Sequence, residues 1–340
     1  MHEELKARIA AAKSKWGDRL TILGHHYQRR EIVAFADHVG DSFKLARDAA
    51  ASDAERIVFC GVYFMGESAR ILAKPDQRVF MPDIQAGCPM ADMADGEDAE
   101  LAWTRITQAN PGRNVVPITY VNSTADVKAF VGARGGIVCT SSNAGKAFDW
   151  AMERGDLILF LPDEMLGTNT AIVKGKQHIA LWDPHAPEGG VTDAELAKAE
   201  VVVWRGYCHV HTLFGLEDIK RAREQHPKAT IVVHPECLPA VVDAADANGS
   251  TAFIVNLVQE TPPGDTIVIG TEINLVRRLA QSFPDRNIVP LSPSVCPNMY
   301  KTDLKKLASL LETFDERLEV TVDEAVARDA RLALQRMMTL

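Results

Sequence analysis

Eleven short runs rich in apolar and β-branched residues punctuate the chain: Thr21–His25, Arg56–Gly61, Arg78–Met81, Asn114–Val121, Gly136–Cys139, Leu157–Leu161, Ile179–Trp182, Val201–Trp204, Thr230–His234, Thr266–Gly270 and Asn287–Leu291. Continuous apolar runs of this length predict strands buried on both faces. Between them, apolar positions recur with the period of a helix at Ser42–Ala51, Gly66–Leu72, Ala144–Glu153, Leu216–Glu224, Ile273–Gln281 and Asp303–Thr313. Strand alternating with helix predicts an α/β fold with parallel sheets, because a parallel pair needs a long crossover and a helix supplies it. There is no low-complexity stretch, and the Gly/Pro-rich piece Asp183–Gly190 reads as one ordered loop.

The same pattern contains a repeat. Three runs end in polar clusters: His25-His26-Tyr27, Tyr120-Val121-Asn122 and His234-Pro235-Glu236. Open α/β sheets take their ligands beyond the carboxyl ends of strands, so each cluster is a candidate binding edge. A hydroxyl residue at an expected helix start follows each, Ser42, Ser141 and Thr251, at 17, 21 and 17 residues after His25, Tyr120 and His234. A cysteine follows each hydroxyl, Cys88, Cys208 and Cys296, after 46, 67 and 45 residues. This spacing predicts three homologous αβα units of about a third of the chain each, around a pseudo-threefold axis with the active site at its centre. The expected boundaries are 1–105, 106–212 and 213–299, with 300–340 rejoining the first unit.

Composition narrows the function. A chain of 340 residues with 46% hydrophobic positions is long enough for two or three domains. Its 37 Lys and Arg against 46 Asp and Glu give a net charge of −9, with no basic footprint for nucleic acid or an anionic membrane. Any anionic ligand must be held locally. No apolar run approaches a membrane span, and the charged start Met1-His2-Glu3-Glu4-Leu5-Lys6 does not resemble a secretory signal, so a cytoplasmic protein is expected. The six cysteines include no C-x-x-C pair, so a metal site must be assembled from distant parts of the chain. Walker, Rossmann, H-E-x-x-H and G-x-S-x-G motifs are absent.

Cysteines from three units meeting at one centre form a tripod of thiolates. On a [4Fe–4S] cluster a tripod leaves one iron open to act as a Lewis acid; zinc on three cysteines is the competing reading. Cys60 and Cys139, at the ends of β-runs, and Cys237 read as structural. In Cys208-His209-Val210-His211 the alternate histidines face one way, and one of them is expected to hydrogen-bond near the metal. Ser42, Ser141 and Thr251, read as caps or first-turn residues, place free helix amides where an anion can bind. Glu236, His25 and His234 are candidate proton carriers, with Tyr27 and Tyr120 as hydroxyl donors.

A dozen ordered motifs, among them Gly24-His25-His26-Tyr27-Gln28, Gly40-Asp41-Ser42, Ala86-Gly87-Cys88-Pro89-Met90, Tyr120-Val121-Asn122-Ser123, Cys139-Thr140-Ser141-Ser142-Asn143, His234-Pro235-Glu236-Cys237, Gly270-Thr271-Glu272 and Cys296-Pro297-x-Met299, closely resemble the quinolinate synthase family along nearly the whole chain. The resemblance implies one [4Fe–4S] cluster per chain on Cys88, Cys208 and Cys296, with one open iron. It implies condensation of iminosuccinate with dihydroxyacetone phosphate to quinolinate, phosphate and two waters in NAD biosynthesis. It implies a functional link to an L-aspartate oxidase or dehydrogenase that supplies the imine. Carried over by motif, the substrate-binding positions are His25, Ser42, Tyr120, Asn122, Ser141, His234, Glu236 and Thr251, and the catalytic ones Tyr27, Glu236 and His234. His26 stands where relatives are expected to have Asn or Tyr. The stretch Gly132–Gly136 lengthens the middle unit, and the chain resembles shorter members without an extra cysteine cluster before Cys296. The amphipathic tail from Leu304 to Leu340 is expected to pack on the first unit. The rival readings are an aconitase-like hydro-lyase using the same open iron, and a zinc-bound lyase or binding module.

Overall fold

The computed structural model describes residues 2–340 and contains three parallel sheets flanked by helices. The first is built from β1 (Leu20–His25), β2 (His38–Gly40), β3 (Arg56–Cys60) and β4 (Arg78–Phe80), in the order β2-β1-β3-β4. The second holds β5 (Val115–Tyr120), β6 (Ile137–Cys139), β7 (Leu157–Leu161), β8 (Ile179–Trp182) and β9 (Val201–Trp204), in the order β6-β5-β7-β9-β8. The third holds β10 (Thr230–Val233), β11 (Ala247–Asn248), β12 (Thr266–Gly270) and β13 (Asn287–Pro290), in the order β11-β10-β12-β13. All pairings within the sheets are parallel, as the α/β pattern requires. With β8 set aside, the three sheets share one strand order, which is the structural basis of the repeated spacing.

All eleven expected strands are present to within a residue or two at each end, and β2 and β11 are additions. These two are edge strands of two or three residues, too short and too exposed to carry an apolar run of their own. They matter because each delivers the chain to a helix start: β2 to Ser42, β11 to Thr251. The extra length of the middle repeat is β8, the helix Asp193–Lys198 and a loop tied by the Asp183 N–H to Gly189 carbonyl bond of 2.9 Å and the Arg205–Asp183 ion pair of 2.7 Å. Residues 132–136 add a little more by extending the helix Ala125–Ala133, which is longer than its counterparts Arg30–Val33 and Pro239–Ala244.

The tail divides, which corrects the expectation that all of it packs on the first unit. Helix Leu304–Thr313 does so, burying Leu307, Leu310 and Leu311 with Ile9, Ile22, Val58 and Phe80. Backbone bonds from Met81 N–H to Leu318 and from Val320 N–H to Val79 then extend the edge of the first sheet. Helix Glu324–Met338 crosses onward: its Ala330, Ala333, Leu334 and Met337 join a core containing Val131, Ile137 and Phe148 of the second sheet's layer. Gly132 permits the approach, since a Cβ there would lie 1.9 Å from the Asp329 carbonyl oxygen. Gly132→Ala is therefore expected to destabilise the protein by about 1–3 kcal/mol, the usual range for overpacking. Urea unfolding checks this, and an unchanged midpoint would show that the helix shifts at no cost.

Candidate functional site

A cavity lies beyond the carboxyl ends of the strands, the place where open α/β sheets take small ligands. Its wall contains Tyr27, His25 and Ser42 with Cys88 from the first sheet's loops, Tyr120, Asn122, Ser141 and Cys208 from the second's, and His234, Glu236, Thr251 and Cys296 from the third's. The structure thus brings together every site residue read from the sequence. Two hydroxyls open helices: Ser42 follows the cap Asp41, and Thr251 follows the cap Ser250. Ser141 does not, contrary to expectation. It sits in a turn before the helix Ala144–Met152, held by Asn143 Oδ1 accepting the Thr140 N–H at 2.7 Å. Amide ends aimed at an anion are consequently available beside Ser42 and Thr251, while Ser141 offers its own hydroxyl.

Glu236 is the electrostatic centre. It is buried, with Oε2 2.6 Å from His211 Nδ1 and 3.2 Å from His234 Nδ1. The His211 approach is close but outside hydrogen-bond alignment, so the contact is an attraction between charge and ring. Burial alone would raise the Glu236 pKa; His234 and His211 more than offset it and hold the carboxyl below its ordinary range. The two imidazoles stack at 4.2 Å, and burial pushes His211 down to about 4, leaving it neutral. Across the cavity, the Tyr27 hydroxyl lies 2.7 Å from Thr271 Oγ1 and 3.3 Å from His211 Nε2, which is itself 3.0 Å from Thr271 Oγ1. Residues from all three sheets' loops thereby share one polar triangle. Burial, with the Glu236 charge nearby, pushes the Tyr27 and Tyr120 phenols well above their ordinary values, so both are protonated donors.

Cys88, Cys208 and Cys296 each lie in a loop after the last strand of their repeat, β4, β9 and β13. Burial raises all three thiols, Cys88 to about 12, and Cys208 is raised further by the Glu236 and Cys88 charges. Backbone amides oppose the rise in the same way three times: Met90 and Ala91 toward Cys88, Val210 toward Cys208, Asn298 and Met299 toward Cys296. Amides directed toward sulfur suit thiolates held by a metal centre. The donor set therefore fits an iron–sulfur cluster. Cys208, His211 and Glu236 also place one ligand atom each within 4.8 Å of one another, close enough to hold a single ion. Cys60, Cys139 and Cys237 are buried in apolar clusters and all six thiols are free.

Residues 7–339 match the family described as Quinolinate synthetase A protein. The chain belongs to the quinolinate synthetase A family. It is similar to proteins named quinolinate synthase from Streptomyces coelicolor, 49% identical over 99% of this chain and 88% of that protein, and Corynebacterium glutamicum, 48% identical over 99% and 88%. A third, from Halobacterium salinarum, is 48% identical over 98% of this chain and 91% of its own. Membership makes the protein an enzyme of NAD biosynthesis. Among the described residues no helix is long and apolar enough to cross a membrane.

Some participants in this family member's site escaped the sequence reading. His211 is expected from the sequence only as one of two alternate histidines near the metal; its contacts with Glu236, Tyr27 and Thr271 put it at the centre of the site's polar network. Asp163 is fully buried, caps the following helix with Oδ1 accepting the Leu166 N–H at 2.5 Å, and is pushed well above its ordinary value by burial and by the Glu236 charge. Thr271 stands in the family-like run Gly270-Thr271-Glu272 without a role assigned there, and Thr271 and Asp163 follow β12 and β7, the third strands of their sheets. His25 lines the cavity, whereas His26 turns to Arg278, whose Nη2 donates to His26 Nδ1 at 3.0 Å. Burial, then Arg278, pushes His26 down to about 3, which leaves it a neutral acceptor.

Proposed function

We propose that the protein condenses iminosuccinate with dihydroxyacetone phosphate to form quinolinate, releasing phosphate and two waters, with a [4Fe–4S] cluster on Cys88, Cys208 and Cys296. The observation that carries this reading is the convergence of three thiols, an ionised buried carboxylate and two anion-accepting helix starts on one cavity. When bound, the cluster supplies a Lewis-acidic iron with one open position. The chain's own residues do the rest. The hydroxyls of Ser42, Ser141 and Thr251 and the Asn122 amide hold carboxylates or phosphate, and Tyr120 donates to a developing oxyanion. Glu236 takes protons from carbon or nitrogen, with His234 beside it, and Tyr27 exchanges protons during isomerisation and dehydration. His25 orients Tyr27: its Nδ1 accepts the Tyr27 N–H at 3.1 Å, and the rings meet edge to face at 4.8 Å.

Six free cysteines and an imine that water destroys fit a cytoplasmic enzyme supplied by an L-aspartate oxidase or dehydrogenase. Anaerobically purified, iron-loaded protein given oxaloacetate, ammonia and dihydroxyacetone phosphate is expected to make quinolinate, and none when the triose phosphate is omitted. A cluster-bearing protein that makes no quinolinate but dehydrates a hydroxy acid would replace this reading with the aconitase-like one. The Cys208–His211–Glu236 geometry favours zinc as a second reading, and a colourless active protein with one zinc per chain would establish it.

A further inference from the structure

In two of the three repeats, the helix after the third strand uses the same position to hold a neighbouring repeat's backbone. In the second repeat it is Asn169, the sixth residue of Glu164–Val173; in the third it is Arg278, the sixth residue of Ile273–Ser282. Asn169 Nδ2 donates to the Pro235 carbonyl at 2.8 Å and to the Cys237 carbonyl at 2.9 Å, the peptide oxygens on either side of Glu236. Arg278 Nη2 donates to the His26 carbonyl at 3.1 Å and to His26 Nδ1 at 3.0 Å, directly before Tyr27. Pro235 and His26 are the middle residues of the matching clusters His234-Pro235-Glu236 and His25-His26-Tyr27. An amide in one repeat and a guanidinium in the other thus reach the equivalent carbonyl. Ser68, the sixth residue of Tyr63–Leu72 in the first repeat, instead bonds the Phe64 carbonyl of its own helix at 2.8 Å. The cluster left without such a contact, Tyr120-Val121-Asn122, has in third place Asn122, which binds and moves no proton in the proposed reaction. Asn169 is 7% exposed, and an apolar residue would pack there without the cost of burying an amide.

We propose that Asn169 and Arg278 are positioning residues: each fixes the main chain beside a neighbouring repeat's proton carrier, Asn169 for Glu236 and Arg278 for Tyr27. The inference rests on the roles proposed above for Glu236 and Tyr27. A displacement of about 1 Å in a reacting group costs on the order of 10² in rate, so a clamp on the peptide next to that group acts on kcat. Without its donor, a buried carbonyl is driven to find another, and the turn that carries the proton carrier moves with it.

Steady-state quinolinate formation by protein of matched iron content tests this in double-variant cycles. Asn169→Ala is expected to lower kcat about 10- to 100-fold and Arg278→Met about 10-fold, each with KM within about threefold of the parent. Arg278→Lys keeps a donor and is expected to stay within about threefold of the parent kcat. Each loss should disappear where the residue it serves is already disabled: Asn169→Ala costs less than about twofold in Glu236→Gln protein, and Arg278→Met less than about twofold in Tyr27→Phe protein. Crossing the pairs, Asn169→Ala with Tyr27→Phe and Arg278→Met with Glu236→Gln, should bring the full losses back. A merely structural tie would slow every background equally; that result, or a loss under about twofold in the parent, overturns the inference. If Asn169→Ala does not fold, the cycle at the half-buried Arg278 decides by the same comparison. Additive losses beside slow Glu236→Gln and Tyr27→Phe proteins overturn the inference alone. Near-parent rates in those two variants overturn their reading as proton carriers and the inference with it, as does an iron-loaded parent that makes no quinolinate.

Discussion

Replacing Cys88, Cys208 or Cys296 with alanine is expected to yield folded protein with little iron and no detectable turnover, whereas Cys60→Ala and Cys139→Ala retain both. The two groups are equally cysteine and differ in surroundings. Cys60 and Cys139 are fully buried among apolar side chains, and burial pushes the Cys60 thiol up to about 12, the Lys13 charge opposing it only in part. Each is a small hydrophobe, and its loss should cost stability only, in the usual range of about 0.5–3 kcal/mol for a single substitution. Cys88, Cys208 and Cys296 line the cavity, and each has backbone amides from two or three residues further on directed at it. Those amides stabilise sulfur carrying negative charge, which a neutral thiol does not need. Iron and sulfide per chain, the visible spectrum and the rate give three readings of the series. The pattern also separates the metals. A single ion on Cys208, His211 and Glu236 predicts that Cys208→Ala and His211→Ala lose metal while Cys88→Ala and Cys296→Ala keep it. Equal losses at all five cysteines would defeat the tripod.

Much of this architecture is legible in the sequence because its strands are buried on both faces. Leu157–Leu161 and Val201–Trp204 are continuous apolar runs, and the structure buries every residue in them. β2 and β11 are not legible for the opposite reason: His38 and Asn248 are exposed, and backbone pairing to β1 and β10 makes these segments strands. The site is readable where the repeat puts like residues at like positions, as with the three hydroxyls and three cysteines. It is unreadable where repeats diverge. Val62, Asp163 and Glu272 each precede the helix after the third strand, but one is apolar and the other two cap by different bonds, so no spacing rule singles out Asp163. His211 escapes because its importance lies in partners more than 20 residues away, Glu236 and Thr271 on the third repeat and Tyr27 on the first. The Glu324–Met338 helix shows the limit of amphipathicity: its apolar stripe reveals that it is covered, and only Gly132 decides by what.

Glu236→Gln is expected to lower kcat by about 10²–10⁴, the ordinary worth of a positioned general base, with KM changed no more than a few-fold. The substitution keeps shape and one acceptor oxygen but removes the charge that accepts a proton. Its consequence follows from how Glu236 is held. Oε2 lies 2.6 Å from His211 Nδ1 and 3.2 Å from His234 Nδ1, while Oε1 is buried and has no partner. A buried carboxylate oxygen without a donor costs stability, and such a cost is sustained at sites where a ligand supplies the missing group. For the proposed substrate, which must lose protons from carbon and nitrogen, Oε1 is the acceptor in waiting. Glutamine would put an amide or an oxygen of low basicity in its place, so binding should survive and proton removal should fail. Tyr27→Phe provides the comparison. It breaks the triangle with Thr271 and His211 but leaves the Glu236 charge, and so should cost less than Glu236→Gln. Steady-state rates on protein of matched iron content check both. If Glu236→Gln lost its metal along with its rate, the carboxylate would be a ligand; if it kept its metal and lost less than about fivefold in kcat, the base would lie elsewhere, with His234 next in line.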